Sequence, residues 1–281
     1  MSTSADTGTS AENHALREWQ DWRERRERAV SAPYGPLALT GTHWPADHPH
    51  GRIDGLPGTW TADGDEIVLR ATDGDRLTVD GRPAAGDPSV PGRCGGRHRL
   101  GPDPAPDATR VAQGERHLQV LRREGRWAVR DFDPGSANRR DFAGIDAYDH
   151  DERWIRPGLF RPYGERRSVL VPNADGARRG LGLAGELAFP LDGDEHTLQV
   201  AVEADGSLWA VLADATSGTD SYRFRFLRPP APAADGTVTV DLNRTLLPPC
   251  AFADHFLCPF PPPGNTLPFA LRAGERNRRT R

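Results

Sequence analysis

Residues 197–212 read Thr-Leu-Gln-Val-Ala-Val-Glu-Ala-Asp-Gly-Ser-Leu-Trp-Ala-Val-Leu. Leu198, Val200 and Val202 alternate with polar or small neighbours, the period of a half-buried antiparallel strand. Asp205-Gly206 then supplies a turn, and Leu208 opens a second apolar run that ends at Asp214. The same device recurs on both sides. Val238, Val240 and Leu242 alternate, and Asp192-Gly193 and Asp235-Gly236 punctuate the chain. Strands are expected at Ser168–Val171, Glu186–Phe189, Thr197–Glu203, Leu208–Asp214, Tyr222–Leu227 and Thr237–Leu242. Short strands with turn signals every roughly 8–12 residues predict a mainly β protein, an antiparallel β-sandwich or open barrel.

The first half is β-rich too, after a helix. From Ala11 to Val30 the pattern is amphipathic, with Leu16, Trp19, Trp22 and Val30 near one face. Asp21/Arg25 and Glu24/Arg28 support it at i,i+4. Pro33 and Gly35 end it. Glu66–Arg70 and Arg76–Asp80 around Thr72-Asp73-Gly74-Asp75 predict one hairpin, and Leu118–Arg122 and Trp127–Phe132 around Glu124-Gly125 another. Residues 83–108 read as a long loop holding Cys94. The expected division is a disordered lead at 1–11, a helix plus small β subdomain at 12–134, a C-terminal β domain at 135–275 and a frayed basic tail at 276–281.

Composition removes whole classes of chemistry. The chain has 281 residues and no lysine, so all 36 basic residues are arginine. That excludes a P-loop lysine, a Schiff base to pyridoxal phosphate and a Ser-Lys pair. Arginine still binds carboxylate or phosphate, while base work by a basic side chain falls to histidine. The net charge of −4 offers no bulk attraction to nucleic acid or membrane lipid. No apolar run reaches the roughly 20 residues that span a bilayer, and no secretory signal opens the chain, so a cytoplasmic protein is expected. Three cysteines are too few for a disulfide scaffold. GxGxxG opening a helix, HExxH, GxSxG and CxxC are absent, and no cofactor is implied. Oligomeric state is not readable.

Three clusters carry candidate chemistry. Asp214-Ala-Thr-Ser-Gly218 ends a strand and puts a carboxylate, two hydroxyls and backbone N–H groups together. Such a turn binds an anion or sugar, or simply satisfies its own backbone. Asp241-Leu-Asn-Arg244 ends another strand; Arg244 is either aimed at a substrate anion or tied into a structural network. Cys250 and Cys258, with His255 between them, lie in a proline-bracketed stretch from Pro248 to Pro263. They read as buried small side chains, as a disulfide, as soft-metal ligands lacking a fourth partner, or as a reactive thiol. His43, His48 and His50 share a loop and read as surface histidines rather than as a metal site. Asp141 and Asp146 flank an apolar turn without a further feature to pair them.

These residues also resemble a known family. Phe142-Ala-Gly-Ile-Asp146 with Trp154, Phe160-Arg-Pro-Tyr163, Val171-Pro-Asn173, Ala213–Gly218, Asp241–Arg244, Pro248-Pro-Cys250-Ala-Phe252, Cys258-Pro259, Pro262-Pro263, Asn265, Leu267-Pro268 and Ala273-Gly-Glu275 resemble, in order and spacing, the bacterial and archaeal family of unknown function numbered 1684. The resemblance covers residues 140–275 well. More loosely, the Trp helix, Leu37-Ala-Leu39, Gly41 and Trp44 fit the family's opening. Asp220-Ser-Tyr-Arg-Phe-Arg225 departs from the Glu-Thr-Tyr and glycine-rich step expected there, and Leu246-Leu247 stands for an expected Asn-Tyr pair. His255 occupies a position more often aromatic, which argues against a metal ligand. Separately, Gly58–Gly86 has a distant forkhead-associated flavour, without the phosphothreonine-reading Arg and Ser pattern. The family has no established activity, so the resemblance implies a fold and a site location.

The resulting expectation is a β protein that binds a small polar or anionic molecule. Asp214, Thr216, Ser217, Tyr222, Asp241, Asn243 and Arg244 would form the pocket, walled by the loop from Cys250 to Asn265. If it is an enzyme, hydrolysis is expected, with Asp214 or Asp241 as base and Arg244 as anion clamp. The rival readings are a non-catalytic protein-interaction module and a metal or redox site on Cys250 and Cys258.

Overall fold

The computed structural model describes residues 5–85 and 95–281, with side chains from His14 onward. Two compact units form: Ala29–Asp141, and Met1–Arg28 together with Phe142–Arg281. The first holds strands β1 (Leu39–His43), β2 (Thr59–Asp63), β3 (Glu66–Ala71), β4 (Thr78–Val79), β5 (Arg82–Pro83), β6 (Gly96–Leu100), β7 (Val111–Gln113), β8 (Arg116–Arg123) and β9 (Arg126–Phe132). The second holds β10 (Phe142–Ala147), β11 (Ile155–Pro172), β12 (Arg178–Leu191), β13 (Asp194–Val202), β14 (Leu208–Leu212), β15 (Arg225–Leu227), β16 (Thr237–Asp241) and β17 (Glu275–Thr280). Helix α1 runs Ala5–Val30. The protein is mainly β, and every pair of these strands is antiparallel.

In the unit of residues 29–141, a six-stranded sheet in the order β1-β9-β8-β7-β4-β5 shares one core with the three-stranded sheet β2-β3-β6. Trp60, Leu69 and Leu100 from the small sheet meet Val111, Leu118 and Val129 from the large one, the layering of a sandwich. The expected β8–β9 hairpin forms, and Glu124 and Gly125 both take positive φ, the two-residue turn that matches strand twist. The other expected hairpin does not. β3 pairs with β2 and β6, whereas β4 lies in the other sheet. Thr72–Asp75 is instead a capped turn that redirects the chain: Asp75 accepts from the Thr72 N–H at 2.7 Å and from the Gly58 N–H at 3.0 Å. Strand β6 falls in the stretch read as a loop, its alternation masked by arginines. Cys94 lies outside the described residues.

In the second unit, β15-β14-β13-β12-β11-β16 form an open half-barrel. Leu198, Val200, Leu208, Ala210, Leu212, Val238 and Val240 line one face and pack on Trp154, Leu267 and Leu271. Val211 points the other way, into a cluster with Phe224, Phe226, Cys250 and Cys258. The period-two pattern of residues 197–212 therefore sorts side chains as it reads.

Two boundaries shift. Residues up to Arg28 of α1 belong with residues 142–281, not with a small N-terminal subdomain. Trp19 is buried and donates through Nε1 to the Asn243 carbonyl at 3.1 Å, and Arg26 donates to the buried Glu275 at 3.1 Å. A partner 200 residues downstream along the chain leaves no local trace. The helix also begins at Ala5, which shortens the lead expected at 1–11; once nucleated, a helix adds a hydrogen bond per residue. The basic tail is not frayed, because β17 pairs with β10 and Arg276 reaches Asp146 at 3.2 Å. No helix among the described residues is long and apolar enough to cross a membrane.

Candidate functional site

The predicted site residues separate into three places. Asp214 follows β14 and is sealed, with no side-chain exposure. Its Oδ1 accepts from the Thr216 N–H at 2.8 Å, the Thr216 hydroxyl at 2.7 Å and the Leu271 N–H at 3.1 Å. Its Oδ2 accepts from Nη2 of Arg225 at 2.8 Å. Burial pushes the carboxyl up, but the Arg225 charge and these hydrogen bonds win and hold it below the usual range. Arg225, equally sealed, also donates to the carbonyls of Leu271, Ala273 and Glu275. Thr216 reaches the Ser221 hydroxyl at 2.8 Å, and Ser217 accepts from the Asp214 N–H at 3.0 Å. Asp214, expected as a base, and Thr216 and Ser217, expected as ligand contacts, instead bond to one another and to Arg225 in a largely buried network.

Asn265 is also buried, and its role differs from the one expected. β13 and β14 pair only through Ala201–Trp209 and Val202–Leu208, and beyond that the ladder opens. The Asn265 amide fills the opening. Oδ1 accepts from the Gln199 N–H at 2.8 Å, and Nδ2 donates to the carbonyls of Gln199 and Val211, both at 2.9 Å. Ala213 and Thr266 continue the join as a parallel bridge.

Asp241, Asn243 and Arg244 stand elsewhere. Asp241 Oδ1 accepts from the Asn243 N–H and side-chain amide, both at 3.0 Å, and Oδ2 accepts from Arg244 Nε at 3.0 Å. Asn243 is buried and clasps the Asp151 backbone through both ends of its amide. Asp241 and Arg244 line a cavity of about 640 Å³ together with Ala15 and Glu18 of α1, His150, Ile155, Asp205, Leu227, Arg228 and Pro229. Neither Asp214 nor Asn265 lines it. Arg228 and His150 were not among the candidates. Arg228 carried a signal, a charge ending an apolar strand before Pro229-Pro230, whereas His150 has none in its neighbours.

The third place is the thiol pair, on the face of the half-barrel opposite the main core. Cys250 and Cys258 are unbridged and buried. The Cys250 N–H donates to Cys258 Sγ at 3.3 Å, and the Tyr222 hydroxyl donates to the Cys250 carbonyl at 3.2 Å. Tyr222 thus meets a cysteine rather than the other expected pocket residues. The Cys258 hydrogen bond, then Tyr222 and the Arg223 charge, outweigh burial and bring the Cys250 thiol down to about 7. His255 is exposed, and no group of three or more His, Cys, Asp or Glu gathers for a metal among the described residues. The Cys250–His255–Cys258 ligand reading therefore fails, as does one on His43, His48 and His50.

The lowered thiol makes a prediction. Thiolate absorbance of the native protein titrates with a midpoint near pH 7 and disappears in Cys250→Ala. Because the folded value lies below the ordinary 9.0, this group's stabilisation is full above about pH 9 and lost as pH falls through about 7. A midpoint above 8.5 in the folded protein would remove the thiolate reading.

With the geometry in place, the comparisons decide the family. The model described as a protein of unknown function, DUF1684, matches residues 140–276. The chain belongs to the DUF1684 family. The match starts beside the boundary at Phe142 and takes in all three places just described. The chain is also similar to an uncharacterised protein of Haloarcula marismortui whose structure was solved by NMR in solution. Identity is 31%, covering 49% of this chain and 78% of that one, with a TM-score of 0.41. No curated protein matches.

Proposed function

We propose that the DUF1684 unit binds a small polar or anionic organic molecule in the cavity between α1 and the half-barrel edge, with Arg244 as its anion clamp. One observation supports this above the others. Arg244 lines the cavity and is held by its Nε on Asp241, with its guanidinium 6.0 Å from the Trp22 ring centroid, while its two terminal nitrogens make no hydrogen bond among the described residues. A guanidinium fixed at one corner and unsaturated at the others is pre-oriented for a carboxylate or phosphate. Arg228, which also reaches Glu203 at 3.5 Å, adds a second guanidinium, and Ile155, Leu227, Pro229 and Pro230 give an apolar wall. The volume suits an ordinary metabolite.

Binding without hydrolysis is the reading we favour. Asp214 is sealed, and Asp241 is engaged by Asn243 at Oδ1 and by Arg244 at Oδ2, so its carboxylate serves to hold the clamp rather than to take a proton. The rival interaction-module reading loses its anchor, because Trp19 is buried against its own unit.

A thermal-shift series with small mono- and dicarboxylates and sugar acids tests this. A ligand at about 100 times its Kd stabilises by about 2.7 kcal/mol. At about 2–4 °C per kcal/mol that is a shift of roughly 5–10 °C. Arg244→Ala should abolish the shift while changing the unliganded melting temperature little. No shift with any acid, or an equal shift in Arg244→Ala, would overturn the site.

A further inference from the structure

A second cavity, of about 470 Å³, lies within the unit of residues 29–141, and its lining carries Arg52, Arg70 and Arg97. Strand register brings two of them together: Arg70 of β3 sits directly opposite Arg97 of β6. Side chains at directly opposed positions share one face of the sheet, and like charges there destabilise the ladder. The same sheet shows the ordinary remedy two residues along. Arg99 is held by Asp63 and Glu66, each at 2.7 Å. Arg97 reaches Asp63 at 3.7 Å and shares it with Arg99, while Arg52 and Arg70 form no ion pair among the described residues.

Acids in the lining do not cancel this charge. Asp54 and Asp75 stand against three arginines. Asp75 keeps its charge and acts on Arg52, but its oxygens are taken: one accepts from the Gly58 N–H, the other from the Thr72 N–H and hydroxyl. Gly55, Gly58, Gly95 and Gly96 also line the cavity; at Gly55 (φ +77) a Cβ would meet nothing within 4 Å, whereas Gly58 and Gly96 lie against Leu69 and Ala84. A site with more planar donors than acids in its lining, and space for more than a lone ion, suits a tetrahedral oxyanion carrying an organic group.

We propose that this cavity binds the dianionic phosphate of a phosphate monoester, with Arg70 and Arg97 gripping its oxygens across the β3–β6 ladder and Arg52 closing from the side. The anion relieves the cross-strand repulsion, so binding and sheet stability are linked. The charge of a phosphate monoester halves below its second pKa of about 6, so affinity falls as pH drops through that value.

Isothermal titration of the full chain tests the site with two probes, glycerol 3-phosphate and a phosphothreonine peptide, at fixed ionic strength. Glycerol and sodium sulfate are the controls. Saturable binding of either phosphate is expected, the tighter one identifying a small ester or a phosphoprotein as the source. Arg52→Gln and Arg70→Gln should each weaken it at least tenfold, and Arg99→Gln less than twofold. Unliganded Arg70→Gln should melt no lower than wild type, because it removes a repulsion and no partner. Absence of binding by both probes, sulfate binding as tightly, equal loss in Arg99→Gln, or an Arg70→Gln protein that melts lower would each overturn the proposal.

Discussion

Arg225→Met should cost the DUF1684 unit about 3–5 kcal/mol, the usual penalty for breaking a buried ion pair by removing one member. Asp214 and Arg225 both have no exposed side-chain surface. Taking away the guanidinium leaves a carboxylate held in a dry interior by neutral donors, and strands the carbonyls of Leu271, Ala273 and Glu275. For a unit of this size the melting temperature falls by on the order of 10 °C. Asp214→Asn should fall by a similar amount, since with its oxygen on Thr216 and Leu271 the amide NH2 faces Arg225 Nη2 and leaves that buried cation unpaired. The pair also sets an acid limit. The Asp214 carboxyl lies below its ordinary 3.8 in the fold, so its contribution is full above that value and is lost as pH falls through the lowered one. Thermal unfolding followed by circular dichroism from pH 2 to 7 checks both statements, with pH values spanning the ordinary carboxylate range. A cost below about 1 kcal/mol for Arg225→Met would mean the interior admits water there.

Asn265→Leu is the second large effect, at about 3 kcal/mol. The side chain is completely buried and its amide makes three hydrogen bonds to backbone in the gap between β13 and β14. Leucine has similar volume, so the loss is polar. The Gln199 N–H and two carbonyls would be left without partners, each unsatisfied group costing about 1–3 kcal/mol before relaxation. Hydrogen exchange at Gln199 should rise with the destabilisation, while exchange in β8 and β9 of the other unit stays unchanged. If Asn265→Leu instead kept full stability and lost ligand binding, Asn265 would be the ligand contact first expected of it.

Much of the architecture was legible in short-range pattern. Alternation at Leu198, Val200 and Val202 and at Val238 and Val240 marked inward faces, and Asp192-Gly193 marked the β12–β13 turn. The lines that failed have specific causes. Thr72–Asp75 looks like a hairpin turn, but its internal cap and the bond from Gly58 to Asp75 accompany a chain path into the other sheet. Arg225 escaped notice because alternation with Phe224 and Phe226 reads as an outward charge, whereas its neighbours face one cluster and it enters the sealed network beside Asp214. Connections within the candidate clusters were not legible. Asp214 pairs with Arg225, and Arg244 with Asp241.

By itself, the stretch at 197–212 determined that the chain pairs antiparallel strands and buries every second side chain, because strand periodicity is a property of neighbouring residues. Composition likewise removed lysine chemistry outright. Tertiary structure alone decided which polar groups are consumed and which stay open. Asn265 meets Gln199 across 66 positions and Trp19 meets Asn243 across 224. Those partners follow from strand order and from the closing of the last segment over the half-barrel. A buried polar group takes whatever donor or acceptor that closure delivers, since leaving it unpaired costs more than any local preference.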